Sequence, residues 1–332
     1  MEFLQLIYEE VIGFLGISQA LEILKNGDYA AFRTYDGIAA LIYPIIPLLV
    51  LLELLLGLVY KKPQAKVYKV NFLIYIFNRF VGRFISIAMV ALCIGFLEPY
   101  VPFQVDFTWY WFLYGYVIWE LGHFIYHFLA HKVRLFWCLH STHHAPEEMN
   151  LSVTYAHFFL EAPYADVIRT TVCIVLGVPP EMLFAIMFVD GTYGAFIHVG
   201  ENIIKNARFG PLEKILLTPS HHRVHHARNP LYIDTNYCNL LNIWDRVFKT
   251  YQEEKRDIPI EYGITRPMDS GNFLDVYFGE IVALARDVWR APGLLNKLRY
   301  IYMPPGWSHT GEHKTAKVVR NAYLNSIGQS HP

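Results

Sequence analysis

Long apolar runs separated by short polar connections dominate the first part of the chain, and their lengths predict membrane-embedded helices. The run 37–60, "GIAALIYPIIPLLVLLELLLGLVY", holds one charge, Glu53. A bilayer core of about 30 Å takes roughly 20 apolar helical residues, so this run suffices. Pro44 and Pro47 are tolerable there because neighbouring helices can satisfy the freed carbonyls. Residues 71–98 then predict a crossing outward and 107–130 a crossing back. A weaker apolar hairpin follows over 160–178 and 181–199, with its turn at "GVPPE". Residues 1–25 predict an amphipathic helix lying on the membrane. Glu2, Glu9 and Glu10 occupy the place where a secretory signal carries positive charge, so a signal peptide is not expected. From 256 onward the chain is charged and broken by Pro and Gly, which predicts a soluble cap. The expected divisions are 1–100 for the N-terminal helix and first spans, 101–255 for a catalytic domain, and 256–332 for the cap.

Charge gives this path a direction. Lys61, Lys62, Lys66 and Lys69 cluster directly after the first run, and by the positive-inside rule that loop is cytoplasmic. The ends of the runs near 130 and 199 then return to the same side. The fold class expected is an all-α integral membrane protein. It has four to five membrane-embedded helices and a cytoplasmic helical cap, in a bacterial inner membrane or the endoplasmic reticulum.

Composition agrees. Hydrophobic residues make up 54% of the 332 and charged residues 17%, against about 25% charged in a soluble domain. A formal net charge of −1 offers no long-range attraction to nucleic acid. Cys93, Cys138, Cys173 and Cys238 form no CxxC pair and read as reduced, buried thiols.

The chemistry concentrates in histidines. "HFIYHFLAHKVRLFWCLHSTHH" holds six of them between His123 and His144, and "SHHRVHH" adds His221, His222, His225 and His226. On a helix, His127 and His131 share one face one turn apart. His140, His143 and His144 do so again, and His222, His225 and His226 repeat that spacing. Clustered imidazolium ions would repel each other, and buried imidazoles without partners are costly. Metal ligation satisfies the nitrogens and keeps the rings neutral. Imidazole suits iron, zinc, copper or nickel, and two facing helices with such triads can hold two metals close together. "HTGEH" at 309–313 matches an inverted zinc-protease motif. Pro304, Pro305, Gly306 and Gly311 beside it argue for loop, so it reads as a solvated tail.

"ELGHFIYHFLAH", "FWCLHSTHH", "NLS", "GPLEKILLTPSHHRVHH", "DTNY" and "NIWDRVFKTY" resemble the membrane fatty acid hydroxylase and sterol desaturase superfamily, across roughly 105–255. The "NLS", "GPLE" and "TPSHHRVHH" wording and "MPPGW" are most similar to its alkylglycerol monooxygenase branch and bacterial relatives. The resemblance implies a di-iron centre ligated by His127, His131, His140, His143, His144, His198, His222, His225 and His226, with zinc able to replace iron on purification. It implies an O2-dependent monooxygenase that hydroxylates or desaturates a lipid chain, with ether-lipid cleavage as the branch-level reading. Two electrons per turnover would come from a separate donor: a ferredoxin, a b-type cytochrome or a reduced pterin. The chain departs from the family pattern at several places. Glu120 replaces an Asp before the first box and can accept an imidazole N–H. His123 stands where relatives carry an aromatic, and reads as supporting the ligands. Asn202 follows His198 where some relatives have a further ligand, and is a candidate to hold a water. His157 has no role assigned. Asn236 and Asp245 match family positions with packing and capping roles, Asp245 facing Arg223 or Arg246. The alternative readings are a redox-silent membrane zinc protein using the same histidines, and a haem-binding electron carrier. Iron content with loss of a lipid C–H bond separates the first from a zinc protein, and haem would need only paired axial histidines.

Overall fold

The computed structural model describes residues 17–27, 44–59, 65–81 and 83–328, with isolated positions before residue 44. Its described residues are helical, joined by turns and two isolated antiparallel bridges, Leu216 to Leu241 and Ala227 to Tyr262. In chain order the helices are α1 (Ser18–Asn26), α2 (Ile45–Val59), α3 (Ala65–Val81), α4 (Arg83–Leu97), α5 (Trp109–Lys132), α6 (Arg134–His144), α7 (Glu161–Val175), α8 (Pro180–Ile197), α9 (Pro219–His225), α10 (Ile243–Val247), α11 (Phe273–Arg290), α12 (Gly293–Tyr302) and α13 (Ala316–Ser326).

Helix α5 is the spine. Its buried side chains Tyr116, Trp119, Glu120, His123, His127 and His131 recur every three or four residues, the period of one helix face. It lies along α7. Gly122 makes that approach possible, because a Cβ there would sit 3.0 Å from the Cα of Arg169. Val133 alone separates α5 from α6, in extended conformation (φ −118°, ψ 119°). A single extended residue folds the chain back sharply, so the second histidine box returns against the first.

The helices differ from the expected spans. Among the described residues no helix is long and apolar enough to cross a membrane. The part of 37–60 that is described is the 15-residue α2; Tyr60, and all of 37–43 except Ala40, lie outside the described residues, as do Lys61 and Lys62. Across the run 71–98, α3 and α4, of 17 and 15 residues, are described on either side of Gly82, which lies outside the described residues. Helix α5 is long enough, but Glu120, His123, His127 and His131 make it too polar. Of the N-terminal helix expected over 1–25, α1 is described, with Leu21 and Leu24 exposed.

The cap is tied into the body. Val70 and Ile74 of α3, Ala145, Ala156 and Phe158 near the second box, and Val276 and Tyr277 of α11 form one buried cluster. Asn78 accepts from the Tyr277 hydroxyl at 2.6 Å. All three sequence segments thus contribute to one core beneath the histidines.

Candidate metal centre

Four short stretches bring nine histidines together. The end of α5 supplies His127 and His131, α6 supplies His140, His143 and His144, and the end of α8 supplies His198. Helix α9 and its cap supply His222, His225 and His226. All nine are buried. Their ring nitrogens form two groups: His127, His131, His140, His144 and His225 in one, and His143, His198, His222 and His226 in the other. Within each group the nitrogens lie within 4.8 Å of one another.

The HxxHH spacing explains the partition. Residues i, i+3 and i+4 share a helix face, but at 3.6 residues per turn i+3 and i+4 lie on opposite sides of i, about 100° apart. His140 and His144 therefore join the five-histidine group while His143 reaches the other. The third box does the reverse: His222 and His226 join the four-histidine group and His225 crosses over. The groups pack against each other, with His144 and His226 stacked at 4.4 Å between ring centroids.

Five of the nine Nδ1 atoms point outward to acceptors. His127 donates to the Tyr237 carbonyl at 2.8 Å, His225 to the Thr235 carbonyl at 2.8 Å and His198 to the Gly194 carbonyl at 2.6 Å. His140 donates to Glu161 Oε1 at 2.6 Å and His131 to Asp234 Oδ1 at 3.3 Å. A ring that donates from Nδ1 presents a lone pair at Nε2. Those Nε2 atoms face inward: His127 and His140 are 3.0 Å apart, His140 and His144 3.0 Å, His198 and His222 2.9 Å, and His222 and His226 3.0 Å. The Nε2 atoms of His131 and His225 are buried without any hydrogen-bond partner. Between His127 and His140, which both donate from Nδ1, two Nε2 lone pairs face each other, a contact that a cation between them relieves. Two nitrogens each about 2.1 Å from one ion and at right angles lie about 3.0 Å apart, so the spacing fits metal ligation. The donor set suits iron, zinc, copper or nickel.

Burial sets the protonation. Desolvation, then the neighbouring imidazoles, hold His143, His144, His222 and His226 well below the usual imidazole range. His225 is held there too, chiefly by burial and His131. His131 falls to about 4 because burial outweighs the Asp234 carboxylate beside it. Neutral rings are the form that binds metal.

One loop, Asp234–Asn239, holds three rings of the five-histidine group. It presents the Asp234 carboxylate to His131 and the Thr235 and Tyr237 carbonyls to His225 and His127. The loop is pinned from three sides. Asp245 accepts the N–H groups of Tyr237 and Cys238 at 2.8 and 2.9 Å, and the side chain of Asn236 bonds His221 and Gln252 backbone atoms. Glu120 accepts the N–H groups of Asn239, Leu240 and Leu241 at 3.1, 2.6 and 2.9 Å.

Several supporting residues therefore act differently from the sequence expectation. Glu120 holds backbone amides rather than an imidazole, because the loop turns its N–H groups toward α5. Asp245, in contrast, has the capping role expected of it, on the loop amides, and pairs with neither arginine. Arg223 instead donates to the carbonyls of Lys205, Val199 and Ile204, and Arg246 to Asn242 and Glu213. His123 lies outside both groups, its ring edge-on to His127 and its Nδ1 3.8 Å from Asp190. Asn202 is exposed on the turn after His198. His221 bonds Thr218 and Tyr251. "HTGEH" is exposed loop, with His309 bonded to Tyr300.

Glu161 and Asp234 were missed by sequence reasoning, as was the place of His157. Glu161 Oε2 takes the Nδ1–H of His157 at 2.9 Å, and that ring lies flat on His143 at 4.3 Å and 12°. Asp234 opens the "DTNY" motif, which was the available signal. Nothing local marks Glu161.

A cavity of about 70 Å³ reaches the centre from the cap. Its lining includes His131, His144, His225 and His226 together with Arg228 and Pro304–Gly306.

Residues 112–250 match the family described as Fatty acid hydroxylase. Alkylglycerol monooxygenase of Xenopus tropicalis is 33% identical over 245 residues, covering 70% of this chain and 52% of that protein. The Homo sapiens protein of the same name is 34% identical over 207 residues, 62% of this chain and 44% of that one. Ornithine lipid hydroxylase of Rhizobium tropici is 29% identical over 157 residues, 47% of this chain and 46% of its own. The chain thus spans about half the length of the curated relatives it matches. No solved structure matches.

Proposed function

The chain belongs to the fatty acid hydroxylase family, on the alkylglycerol monooxygenase-like side, and from that premise we propose that it is a membrane-bound, O2-dependent di-iron lipid monooxygenase. The observation that carries the reading is the sorting of nine buried histidines into a five- and a four-membered group of inward nitrogens. When bound, a pair of iron ions supplies reductive activation of O2 and the oxidant for an unactivated C–H bond.

The residues do the rest. The carbonyls of Gly194, Thr235 and Tyr237 and the carboxylates of Glu161 and Asp234 fix the tautomers that face the ions. The nine residues that would hold the ions are all imidazoles, so as neutral rings they would contribute no ligand charge to offset that of the metal. Burial of all nine rings keeps bulk water from the oxidant. Insertion of one oxygen atom as C–OH and release of the other as water takes two electrons and two protons. The electrons come from a separate donor: a ferredoxin, a b-type cytochrome or a reduced pterin.

The substrate is a lipid that keeps its head group at the membrane surface. The names of the relatives favour an ether lipid, hydroxylated beside the ether oxygen and released as an aldehyde. Bilayer attachment is supported by the exposed Leu48, Leu51, Leu52, Leu55, Leu58 and Val59 of α2. The histidine boxes then face the cytoplasm, following the lysines after α2.

The test is to express the chain with iron and O2, measure bound metal, and compare the lipidomes of cells with and without it. Bound iron with loss of an ether lipid and appearance of its aldehyde is expected. Bound zinc with an unchanged lipidome under every reductant would overturn the oxygenase reading. An unchanged ether-lipid pool beside one new hydroxylated species would overturn only the substrate.

A further inference from the structure

The cap helices α11 and α12 have an apolar surface that none of the described residues covers. Helix α11 buries Val276, Tyr277, Glu280 and Leu284 against the body. The opposite face is apolar as well: Leu274 is 63% exposed, Val282 52% and Trp289 85%, with exposed Ala285 among them. Helix α12 buries no residue. Leu294, Leu295, Leu298, Ile301 and Tyr302 fall on one stripe at helical spacing, and four of them are 46–73% exposed. An amphipathic helix docked on a protein core turns its stripe inward. This one turns it out.

The charge around the surface chooses its occupant. Between 286 and 302 the chain carries Arg286, Arg290, Lys297 and Arg299 against one acid, Asp287. Asp287 is paired with Arg134 at 3.7 Å. None of the four cations has a carboxylate partner among the described residues. An apolar stripe rimmed by cations, with Trp and Tyr at its edges, is the chemistry of a helix lying in the headgroup layer of an anionic membrane. A second copy fits worse, because an isologous contact would set the four cations against their own equivalents.

From this we infer that α11 and α12 form a membrane-surface anchor that seats the cap in the anionic headgroup layer. On this inference the cap, which the sequence reading takes as soluble, rests on the membrane surface. The anchor bears directly on the centre. The Met303 carbonyl at the end of α12 accepts the first N–H of α6 at 3.1 Å. The next residues, Pro304–Gly306, line the cavity that reaches His131, His144, His225 and His226. Seating α12 in the headgroups holds the rim of that cavity at the level where a lipid head group sits. This consequence rests on the lipid-oxygenase reading; the anchor itself does not.

The full chain is reconstituted in vesicles of phosphatidylcholine, with and without phosphatidylglycerol, using ordinary or chain-brominated lipid. The difference in emission between the protein and its Trp289→Phe variant isolates Trp289. We expect brominated lipid to quench that difference, more completely with phosphatidylglycerol present. Unquenched Trp289 emission beside quenching of the other tryptophans overturns the anchor and leaves membrane attachment standing. Unquenched, blue-shifted emission with a doubled particle mass assigns the surface to a second copy. No quenching of any tryptophan sinks the anchor together with the membrane reading. Leu294→Glu with Leu298→Glu supplies the functional arm: KM for a lipid presented in vesicles should rise several-fold with kcat unchanged. Loss of kcat alone would count against it.

Discussion

Glu161 takes the Nδ1–H of His140 at 2.6 Å, and both side chains are almost wholly buried. Its second oxygen holds His157, which lies flat on His143. One carboxylate therefore positions a ring of the five-histidine group and, through His157, supports a ring of the other. Glu161→Gln cannot accept from both imidazoles without turning an amide N–H toward one of them. Removing such an outer partner typically lowers metal affinity by about 10- to 100-fold. Titration of the stripped protein with Co(II), followed by its absorption bands, should show that loss. Unchanged affinity would mean that Glu161 only packs the helix.

The partition of the boxes gives a sharper test with adjacent residues. His222 turns its Nε2 toward His198 and His226 at 2.9 and 3.0 Å, while His221 bonds Thr218 and Tyr251. His222→Ala, like His143→Ala, should abolish oxygenation and halve the bound metal while the protein still inserts into membranes. His221→Ala should keep its metal and lose about 1 kcal/mol, the worth of the helix cap it completes. Equal metal content in the His221 and His222 variants would refute the grouping.

How much of this was legible beforehand differs from residue to residue. The i, i+3, i+4 spacing announced facing histidine triads, because helical geometry needs only local sequence. It did not announce which ring joins which group, since that depends on how α6 and α9 face each other. Glu120 was singled out, yet its partners are the amides of Asn239, Leu240 and Leu241, more than a hundred positions away. Asp245 carried a similar ambiguity. A buried carboxylate near arginines suggests an ion pair, but the backbone amides of Tyr237 and Cys238 reach it first. The apolar periodicity found the helices of 71–98, described as α3 up to Val81 and α4 from Arg83.

Acid should unfold the metal-free protein earlier than its carboxylates alone would. His143, His144, His222, His225 and His226 stay neutral far below the ordinary imidazole range, and His131 holds out to about 4. In the unfolded chain the same rings take a proton near pH 6.5. Below that value the unfolded state binds more protons than the folded one, so stability falls as pH falls, down to the folded values. Melting of the stripped protein from about pH 7.5 to 5 should show a steady drop in Tm, and added metal at pH 7.5 should raise it. A flat profile would mean that the rings are already charged in the fold.

Glu53 supports the last prediction, which runs against hydropathy. It is the one charge in α2, and replacing it with leucine makes that helix more apolar. Its carboxylate nevertheless accepts the N–H groups of Leu151 and Gly200 at 2.6 and 2.9 Å and the Tyr68 hydroxyl at 3.1 Å. Gly200 lies two residues past His198, and it approaches so closely that a Cβ there would be 2.6 Å from Glu53 Oε1. Glu53→Leu leaves two buried amides without acceptors, at about 1–3 kcal/mol each, and frees the backbone that carries His198. The variant should melt several degrees lower and bind the ion of the four-histidine group more weakly. Glu53→Gln keeps one acceptor oxygen and should lose less on both counts. If Glu53→Leu matched the parent in Tm and metal content, the apolar helix would be independent of the centre.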